Sequence, residues 1–362
     1  MKSSKYLFDN VLVIGLGLIG GSIAKSIRHN KISNKIFAYD SNFEVIEKSK
    51  SEKIIDNIIF LDDELKFIDL IIIATPISHY DDIFKKIRNK ISLKSIVIDV
   101  GSIKDFKIKN LPSNFLPCHP IAGSDKNSYN NSCLNLFKGK NFIICKEKFN
   151  DQFDNLNKII KMVEIIGSKP VFLEAKNHDI IFGLVSHLPQ FISFLTKDFL
   201  QTEIKEKIDD NFLKKCFRLD NSNPDIWIDI FKNNKNNLER FYQEFFINLQ
   251  KIIVDLENKN WSEIKEDILK NKIIFNIVKN NNLDDMNDKF FIANFTPIFF
   301  RFLVCISYLK IKDLLQYLEY SGSGFTDFSS ISSIAKYESA ILDVLIKKNI
   351  GKIKSLFTSI SK

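Results

Sequence analysis

The sequence predicts an α/β protein, in which a doubly wound parallel sheet is followed by an all-helical domain. Two observations support this fold class. Short β-branched runs alternate with amphipathic segments over the first 175 residues, which is typical of a parallel sheet with crossover helices. Beyond that point, apolar residues recur every three or four positions in long segments such as 180–200 and 237–260, which is the spacing of buried helices.

Six apolar runs are the predicted strands: "NVLVIG" (10–15), "KIFAYD" (35–40), "DLIIIAT" (69–75), "SIVIDV" (95–100), "NFIIC" (141–145) and "KPVFLE" (169–174). We expect an α/β domain over 1–174, a helical domain over 175–280 and, after a polar linker, a further helical segment over 290–362. That last segment shares a loop-then-helix pattern with 216–234. A diverged repeat is one interpretation, and coincidence between two amphipathic helices is the other.

Composition excludes several classes of function. The 362 residues are 45% hydrophobic and 27% charged, as in ordinary globular proteins. The net charge is +8, but the lysines are scattered among acids, so no nucleic-acid site is predicted. The most apolar late run, 290–309, contains Arg301, and burying that charge in lipid is costly, so we expect no membrane span.

The cysteines and the N-terminus predict a cytoplasmic protein. The five cysteines show no CxxC or other metal-ligand spacing, so we interpret them as reduced thiols and expect no metal site. The N-terminal segment lacks the charged-then-apolar profile of a signal peptide and runs directly into a glycine motif.

That motif, "VLVIGLGLIGGSIAKSI", predicts a dinucleotide site. Gly15, Gly17 and Gly20 have G-x-G-x-x-G spacing directly after an apolar strand and at the start of a helix. The first glycine permits a tight turn, the second permits close approach of a pyrophosphate, and the third permits close packing of helix and strand. Amide groups at the helix start bind phosphate, so the predicted cofactor-binding residues also include Leu16, Leu18 and Ile19.

Asp40 indicates which dinucleotide is bound. It ends the second predicted strand, 20 residues after Gly20, where a carboxylate accepts hydrogen bonds from the ribose hydroxyls. Its charge repels a 2′-phosphate, so NAD is favoured over NADP. The alternative is a glycine turn with a capping aspartate and no ligand.

Two further loops follow predicted strands. Thr75 and Pro76 end one strand, and Gly101 and Ser102 follow another. The carboxyl ends of parallel strands line the crevice where ligands bind, so we expect these residues near the cofactor. A plain turn is the alternative for each.

The histidines and one arginine are the other candidates for chemistry. We place His119 in the loop after the predicted strand "FLPC", and His178 at the start of the helix that contains His187. Taken singly, each is more often a hydrogen-bonded structural residue than a catalyst. Arg218 stands out because arginine is scarce here, and its guanidinium matches a carboxylate ligand. Trp227 follows nine residues later.

Taken together, the motifs resemble those of the prephenate and arogenate dehydrogenases. "VIGLGLIGGS", "ATP", "DVGSIK", "HPIAGSD", "HDIIFGLVSHLPQ" and "R-x8-W-x-DIF" occur in the order of that family, from about residue 10 to about residue 255. The resemblance implies an NAD-binding Rossmann domain, a helical dimerisation domain and a homodimer. It implies oxidative decarboxylation of prephenate to 4-hydroxyphenylpyruvate, or of arogenate to tyrosine.

The resemblance also assigns roles to residues. His119 is the implied acceptor of the ring hydroxyl proton, and Ser102 hydrogen-bonds around that hydroxyl, His119 and the nicotinamide. Five residues are implied around the substrate: Ser124, Asp125, Ser186, His187 and Gln190. Arg218 would anchor a substrate carboxylate, and Trp227 would close the pocket.

Two departures from the family pattern concern the substrate end. Gln190 follows "SHLP" where the family usually has a histidine. In the loop before Arg218, Lys214 and Lys215 replace the usual residues and the family's glycines are absent; a closer match, "GSGFTDFSSI", occurs at 322–331 without the family's arginines. The residues leave open the choice between prephenate and arogenate, another NAD-linked dehydrogenase of a small carboxylate, and a non-catalytic NAD-responsive protein.

Overall fold

The structure, a computed structural model, describes residues 5–108, 111–123, 128–145, 153–192, 194, 223–260, 262, 263 and 266. Three predicted site residues, Ser124, Asp125 and Arg218, lie outside the described residues, as does the predicted helical segment over 290–362. The chain forms two compact units, residues 1–181 with 221–235, and residues 182–220 with 236–362.

The first unit is built on a six-stranded parallel sheet. Its strands are β1 (Phe8–Ile14), β2 (Ser33–Tyr39), β3 (Asn57–Ile58), β4 (Leu70–Ile73), β5 (Ile96–Asp99) and β6 (Phe115–Leu116). Their order is β3-β2-β1-β4-β5-β6, and every neighbouring pair is parallel. This is the dinucleotide-binding order with a switch point between β1 and β4, so the predicted doubly wound sheet is confirmed.

The described part of the chain contains seven α-helices. They are α1 (Leu18–His29), α2 (Phe43–Ser51), α3 (Tyr80–Ile87), α4 (Phe153–Ile165), α5 (Ala175–Phe182), α6 (Pro224–Asn233) and α7 (Lys235–Glu257). Local chemistry sets some of their ends. The Asn42 side chain accepts a hydrogen bond from the Glu44 amide at the start of α2, and Asn223 caps α6 in the same way, with Pro224 at the first helical position.

Three strands form a separate sheet. They are β7 (Cys118–Pro120), β8 (Asn141–Ile144) and β9 (Lys169–Phe172), with β7 antiparallel to β8 and β8 parallel to β9. The sequence predicts the last two as buried strands, but Phe172 is 41% exposed and Lys169 is also exposed. The prediction of a buried strand over 169–174 is therefore wrong, because β9 lies at the edge of a small sheet.

The core lies on both faces of the six-stranded sheet. Along β1, Val11 and Val13 pack into one cluster with α1 and α4, while Leu12 and Ile14 pack into a second cluster with α3 and α6. All four are fully buried. A strand that is buried on both faces carries a continuous apolar run rather than an alternating one, which is why β1 is so apolar.

The second unit is helical where it is described. Phe241, Phe245, Leu249 and Ile252 are buried along α7, at helical spacing. A π-helical turn, Gly183–His187, follows α5. None of the helices in the described part of the chain is long and apolar enough to cross a membrane.

We expect Phe84→Ala to destabilise the protein by about 3–5 kcal/mol, because it leaves a cavity in a close-packed core. Phe84 is fully buried and makes edge-on ring contacts with Tyr80 and Phe115, with centroids 5.9 and 5.1 Å away. Urea unfolding measures the change. Phe43→Ala, at a side chain that is 60% exposed, is the matched control and should change stability by less than about 0.5 kcal/mol.

Candidate active site

The turn after β1 is shaped by glycine. Gly15 has a φ of +93°, and a Cβ at this position would lie 2.6 Å from the carbonyl oxygen of Ala74. A Cβ on Gly20 would overlap the Gly15 carbonyl oxygen. Strand, turn and helix therefore pack backbone against backbone, which only residues without a side chain permit. The two glycines form a cradle that a side chain would fill.

At the start of α1, backbone amides that have no acceptor within the helix are available to a ligand. The helix begins at Leu18, and its first internal hydrogen bond runs from the Gly21 amide to the Gly17 carbonyl oxygen at 2.9 Å. The amides of Leu18, Ile19 and Gly20 precede that bond, so they have no acceptor within the helix. No acidic residue occupies the first turn. This arrangement attracts an anion such as a pyrophosphate.

Asp40 lies beside this turn. One of its carboxylate oxygens accepts a hydrogen bond from the Leu16 amide at 2.6 Å, and the other accepts one from the Asn42 amide at 2.8 Å. The two bonds fix the carboxylate at the carboxyl end of β2. A carboxylate oxygen has a second lone pair, so the side chain can still accept from ribose hydroxyls. The Leu16 amide is directed at Asp40, and the Leu16 side chain is buried in the core.

Thr75 carries an unsatisfied polar atom at the same edge. Its Oγ1 atom is buried and has no hydrogen-bond partner, although buried hydroxyl groups normally have one. The Ala74 amide donates to the Ile14 carbonyl oxygen at 2.7 Å, which sets this turn directly beside the glycine turn. A bound dinucleotide would supply the missing partner, so glycine cradle, helix start, Asp40 and Thr75 together fit NAD.

The next turn along this edge is held by a buried carboxylate. Asp99 ends β5 with 0% exposure. Its Oδ2 atom accepts from the Tyr80 hydroxyl at 2.9 Å, the Gly101 amide at 3.0 Å and the Lys104 ammonium, and its Oδ1 atom accepts from the Cys118 amide at 2.9 Å. Burial and the Asp99 charge raise the pKa of the Tyr80 hydroxyl well above its ordinary value, so it remains a donor.

His119 lies in a strand and not in a loop. It is the middle residue of β7 and pairs with Ile143 of β8, so the prediction of a loop position is wrong. The run is only three residues long, and its partner strand follows more than twenty residues later in the chain. Cys118 and Pro120 are buried while His119 is half-buried, because successive residues of a strand point to opposite faces.

Asp99 brings Ser102 and His119 to one place. Ser102 follows Gly101, and His119 follows Cys118; the amides of Gly101 and Cys118 bind the same carboxylate. Ser102 and His119 are thus each one residue along the chain from an amide that is bonded to Asp99. Burial and the Asp99 charge also raise the pKa of the Cys118 thiol well above its ordinary value, so the thiol stays protonated there.

Two residues that the sequence did not assign complete the surroundings of His119. Its Nδ1 atom lies 2.9 Å from Nε2 of His178, and Nδ1 of His178 lies 2.7 Å from Oδ1 of Asp179. His178 is fully buried in α5, close to the predicted helix start. The "HD" pair in the quoted motif could have indicated these two residues. However, His119 and His178 are 59 residues apart in the chain, and no sequence-spacing rule predicts a contact over that separation.

The remaining predicted residues fall elsewhere. Ser186, His187 and Gln190 belong to the second unit; the first two are in the π-helical turn, a feature often found at functional sites. His187 and Gln190 are buried, with exposures of 1% and 3%. Trp227 is on α6 and packs against the core cluster beside α3. No metal-binding cluster of His, Cys, Asp and Glu occurs among the described residues.

Together, the strand order, the glycine cradle and Asp40 indicate a protein of the dinucleotide-binding class. The comparisons with known proteins agree. The model of the prephenate dehydrogenase nucleotide-binding domain matches residues 23–172, and that of the prephenate dehydrogenase dimerisation domain matches residues 174–270.

Individual relatives are similar over most of their length. The crystal structure of prephenate dehydrogenase from A. aeolicus, in complex with hydroxyphenyl propionate and NAD+, is 30% identical, with a TM-score of 0.69 over 75% of this chain and 98% of that chain. The cyclohexadienyl dehydrogenase of Zymomonas mobilis is 24% identical over 68% of this chain and 88% of its own length. The prephenate dehydrogenase of Lactococcus lactis is 32% identical over 51% of each chain. This chain therefore belongs to the prephenate dehydrogenase family, a family of NAD-dependent oxidoreductases.

We expect Gly20→Ala to weaken NAD binding by about tenfold or more, since a displacement costing 1.4 kcal/mol already corresponds to a factor of ten. The added methyl group would overlap the Gly15 carbonyl oxygen and force α1 away from the turn. Calorimetric titration with NAD measures the change. Gly123→Ala is the matched control, because a Cβ at Gly123 meets no atom within 4 Å; equal affinities for the two variants would contradict the prediction.

We expect Asp40→Asn to reduce the preference for NAD over NADP. The amide keeps an acceptor for the Leu16 N–H but removes the charge that repels a 2′-phosphate. The ratio of kcat/KM for the two cofactors is the measurement. Asp62→Asn, at a side chain that is 79% exposed, should leave the ratio unchanged. An unchanged ratio in Asp40→Asn would assign the discrimination to another residue.

Proposed function

We propose that this protein catalyses the NAD-dependent oxidative decarboxylation of prephenate to 4-hydroxyphenylpyruvate, with His119 as the proton acceptor. The observation that carries the proposal is the position of His119. It is half-buried in β7, and β7 is tied through the Cys118 amide to the carboxyl end of β5. That end belongs to the edge where the glycine turn and the Thr75 turn meet. A base and a dinucleotide site thus share one edge of the sheet.

The chemistry fits these residue types. The bound nicotinamide supplies a hydride acceptor. As the electrons of the ring C4–H bond leave as hydride, His119 takes the proton of the 4-hydroxyl group, and C4 becomes a carbonyl carbon. The bond to the ring carboxylate then breaks, CO2 leaves, and its bonding electrons restore an aromatic ring with a phenolate oxygen. The phenolate takes up one proton, so charge and atoms balance.

His119 suits this role because histidine changes charge near neutral pH. General base catalysis by a positioned histidine contributes about 10²- to 10⁴-fold to the rate. Ser102, fixed one residue from the Asp99 anchor, would hydrogen-bond to the reacting hydroxyl and to the nicotinamide. No metal ion is required for these steps.

The substrate side of the site follows the family assignment. We assign Arg218 to a substrate carboxylate, for which its planar guanidinium is suited. Further contacts are assigned to Ser124, Asp125, Ser186, His187, Gln190 and Trp227. Gln190 donates and accepts hydrogen bonds but carries no charge, so with this residue the pocket has one titratable group fewer than usual in the family.

Assembly and location are part of the same proposal. The match of residues 174–270 to a dimerisation domain supports a homodimer. We also propose a cytoplasmic location, where thiols stay reduced; the described cysteines, Cys118, Cys133 and Cys145, form no disulfide.

We expect wild-type protein to form NADH with prephenate, and His119→Asn to lower kcat by about 10²- to 10⁴-fold, because the proton acceptor is lost. Absorbance at 340 nm follows the reaction, with arogenate assayed in parallel. His29→Asn is the control, since His29 is exposed at the end of α1. Faster turnover of arogenate would reassign the substrate; no turnover of either would reject the proposed activity.

A further inference from the structure

We propose that His178 and Asp179 are positioning residues, which fix the tautomer of His119 so that its Nε2 atom is the proton acceptor. This inference rests on the proposed role of His119. It comes from a continuous hydrogen-bonded row that joins three elements: β7, α5 and the loop after β5. The direction of each hydrogen bond in the row follows from the groups at its far end.

Asp179 sets that direction. Its Oδ1 atom accepts from the Lys104 amide and its Oδ2 atom accepts from the Asp105 amide, both at 2.8 Å. The side chain is 3% exposed. Backbone amides only donate, so both oxygens are acceptors, and hydrogen bonds of this kind favour the ionised carboxylate. The ionised carboxylate therefore requires a donor at Nδ1 of His178.

His178 carries its single proton on Nδ1. Burial disfavours the imidazolium, and the nearby Lys104 ammonium repels it, so the pKa of His178 lies well below its ordinary value. The ring is thus neutral and has one N–H group. Because the Nδ1 proton points at Asp179, 2.7 Å away, Nε2 of His178 is an acceptor.

His119 must then donate to His178. The two facing nitrogens are 2.9 Å apart, and a hydrogen bond between them needs one proton. Since Nε2 of His178 has none, Nδ1 of His119 supplies it. In neutral His119 the Nε2 atom consequently carries no proton, and that is the atom that takes one from the substrate. Without its partner, a neutral histidine divides its proton between both nitrogens.

The same row stabilises the product of proton transfer. Once protonated, His119 keeps its Nδ1–H group directed at His178, and His178 stays directed at the Asp179 charge. Among the described residues, Lys104, Asp99, Asp105 and the Cys118 thiol are further titratable groups bonded to the row or next to it in the chain. Lys104 is paired with Asp99 and both side chains are fully buried, so these two charges compensate each other. The carboxylate acts as an orienting group, like the aspartate of a serine-protease triad.

The test is Asp179→Asn, which replaces one acceptor oxygen by an NH2 group. At the Oδ2 position that group faces the Asp105 amide; at the Oδ1 position it faces the Lys104 amide and donates to Nδ1 of His178. In the second arrangement both histidines change tautomer: the proton of His178 moves to its Nε2 atom, and the proton of His119 moves to its Nε2 atom. We expect the full-length variant to retain its NAD affinity and KM within about threefold, and to lose kcat by on the order of 10²- to 10⁴-fold.

Histidine nitrogen NMR measures the tautomer directly. In ¹⁵N-histidine-labelled protein, long-range correlations show which ring nitrogen carries the proton, and His119→Asn assigns the signal. We expect Nδ1–H in the wild type and Nε2–H or a mixture in Asp179→Asn. A wild-type His119 with its proton on Nε2, or an unchanged tautomer in the variant, would overturn the inference. This readout needs no turnover, so it is independent of the proposed substrate.

Asp69→Asn is the matched structural control. Asp69 also accepts hydrogen bonds from two consecutive backbone amides, those of Asp9 and Asn10, both at 2.8 Å, but it is not bonded to a histidine. It should lose stability without changing the tautomer of His119.

If Asp179→Asn does not fold, a comparison of His178→Gln with His178→Phe tests the inference instead. The glutamine oxygen can accept from Nδ1 of His119, whereas phenylalanine fills the space and accepts nothing. We expect the kcat of His178→Gln to be at least about tenfold higher than that of His178→Phe. The acidic limb of the pH profile should also be closer to the wild-type limb in His178→Gln than in His178→Phe. Equal losses and equal limbs in the two variants would overturn the inference.

Discussion

The buried carboxylate of Asp99 is the constraint on which the arrangement of the site depends. A charge with 0% exposure is tolerated only when donors satisfy it, and here four donors do so. They come from α3, from the turn after β5, from the Lys104 ammonium and from β7. Removing one partner of a buried ion pair costs about 3–5 kcal/mol. The geometry of three chain segments, α3, the loop after β5 and β7, is therefore coupled to a single side chain.

The coupling continues through Lys104. Its ammonium binds Asp99, while its backbone amide binds Asp179. One residue thus joins the end of β5 to α5, the helix that carries His178. Three groups of this network are held in one protonation state: burial and the Asp99 charge raise the pKa values of Tyr80 and Cys118, and burial and the Lys104 charge lower that of His178. A network with fixed protonation states has fixed hydrogen-bond directions, which a positioned base requires.

The sequence was sufficient for the cofactor half of this site because its information is local. The glycine spacing, the strand before it and Asp40 all lie within about 30 residues, and each has a mechanical reason that one short segment reveals. The doubly wound parallel sheet followed from strand-helix alternation, but the order of its strands was not predicted.

The proton-transfer half was hidden because its contacts are long-range. His119 pairs with Ile143 and contacts His178, and neither distance along the chain follows a periodic rule. Lys104 is one of many lysines in the sequence, yet it is 2% exposed; only the carboxylate facing it distinguishes it from a surface residue. The resemblance to a family supplied His119 as a candidate, but not the reason for its orientation.

The two halves of the site also differ in what holds them. The cofactor edge is made of backbone: glycine turns, helix-start amides and a carboxylate bonded to amides. His119, the proposed proton acceptor, lies in a second, smaller sheet, which is held by side chains: Asp99 binds the amide of Cys118, and the histidine row binds His119 itself. Changes at the glycine cradle therefore act on affinity for NAD, whereas changes in the row act on the orientation of His119. A protein built this way can bind its cofactor normally and still be inactive, because the atoms that hold NAD are not the atoms that orient the base.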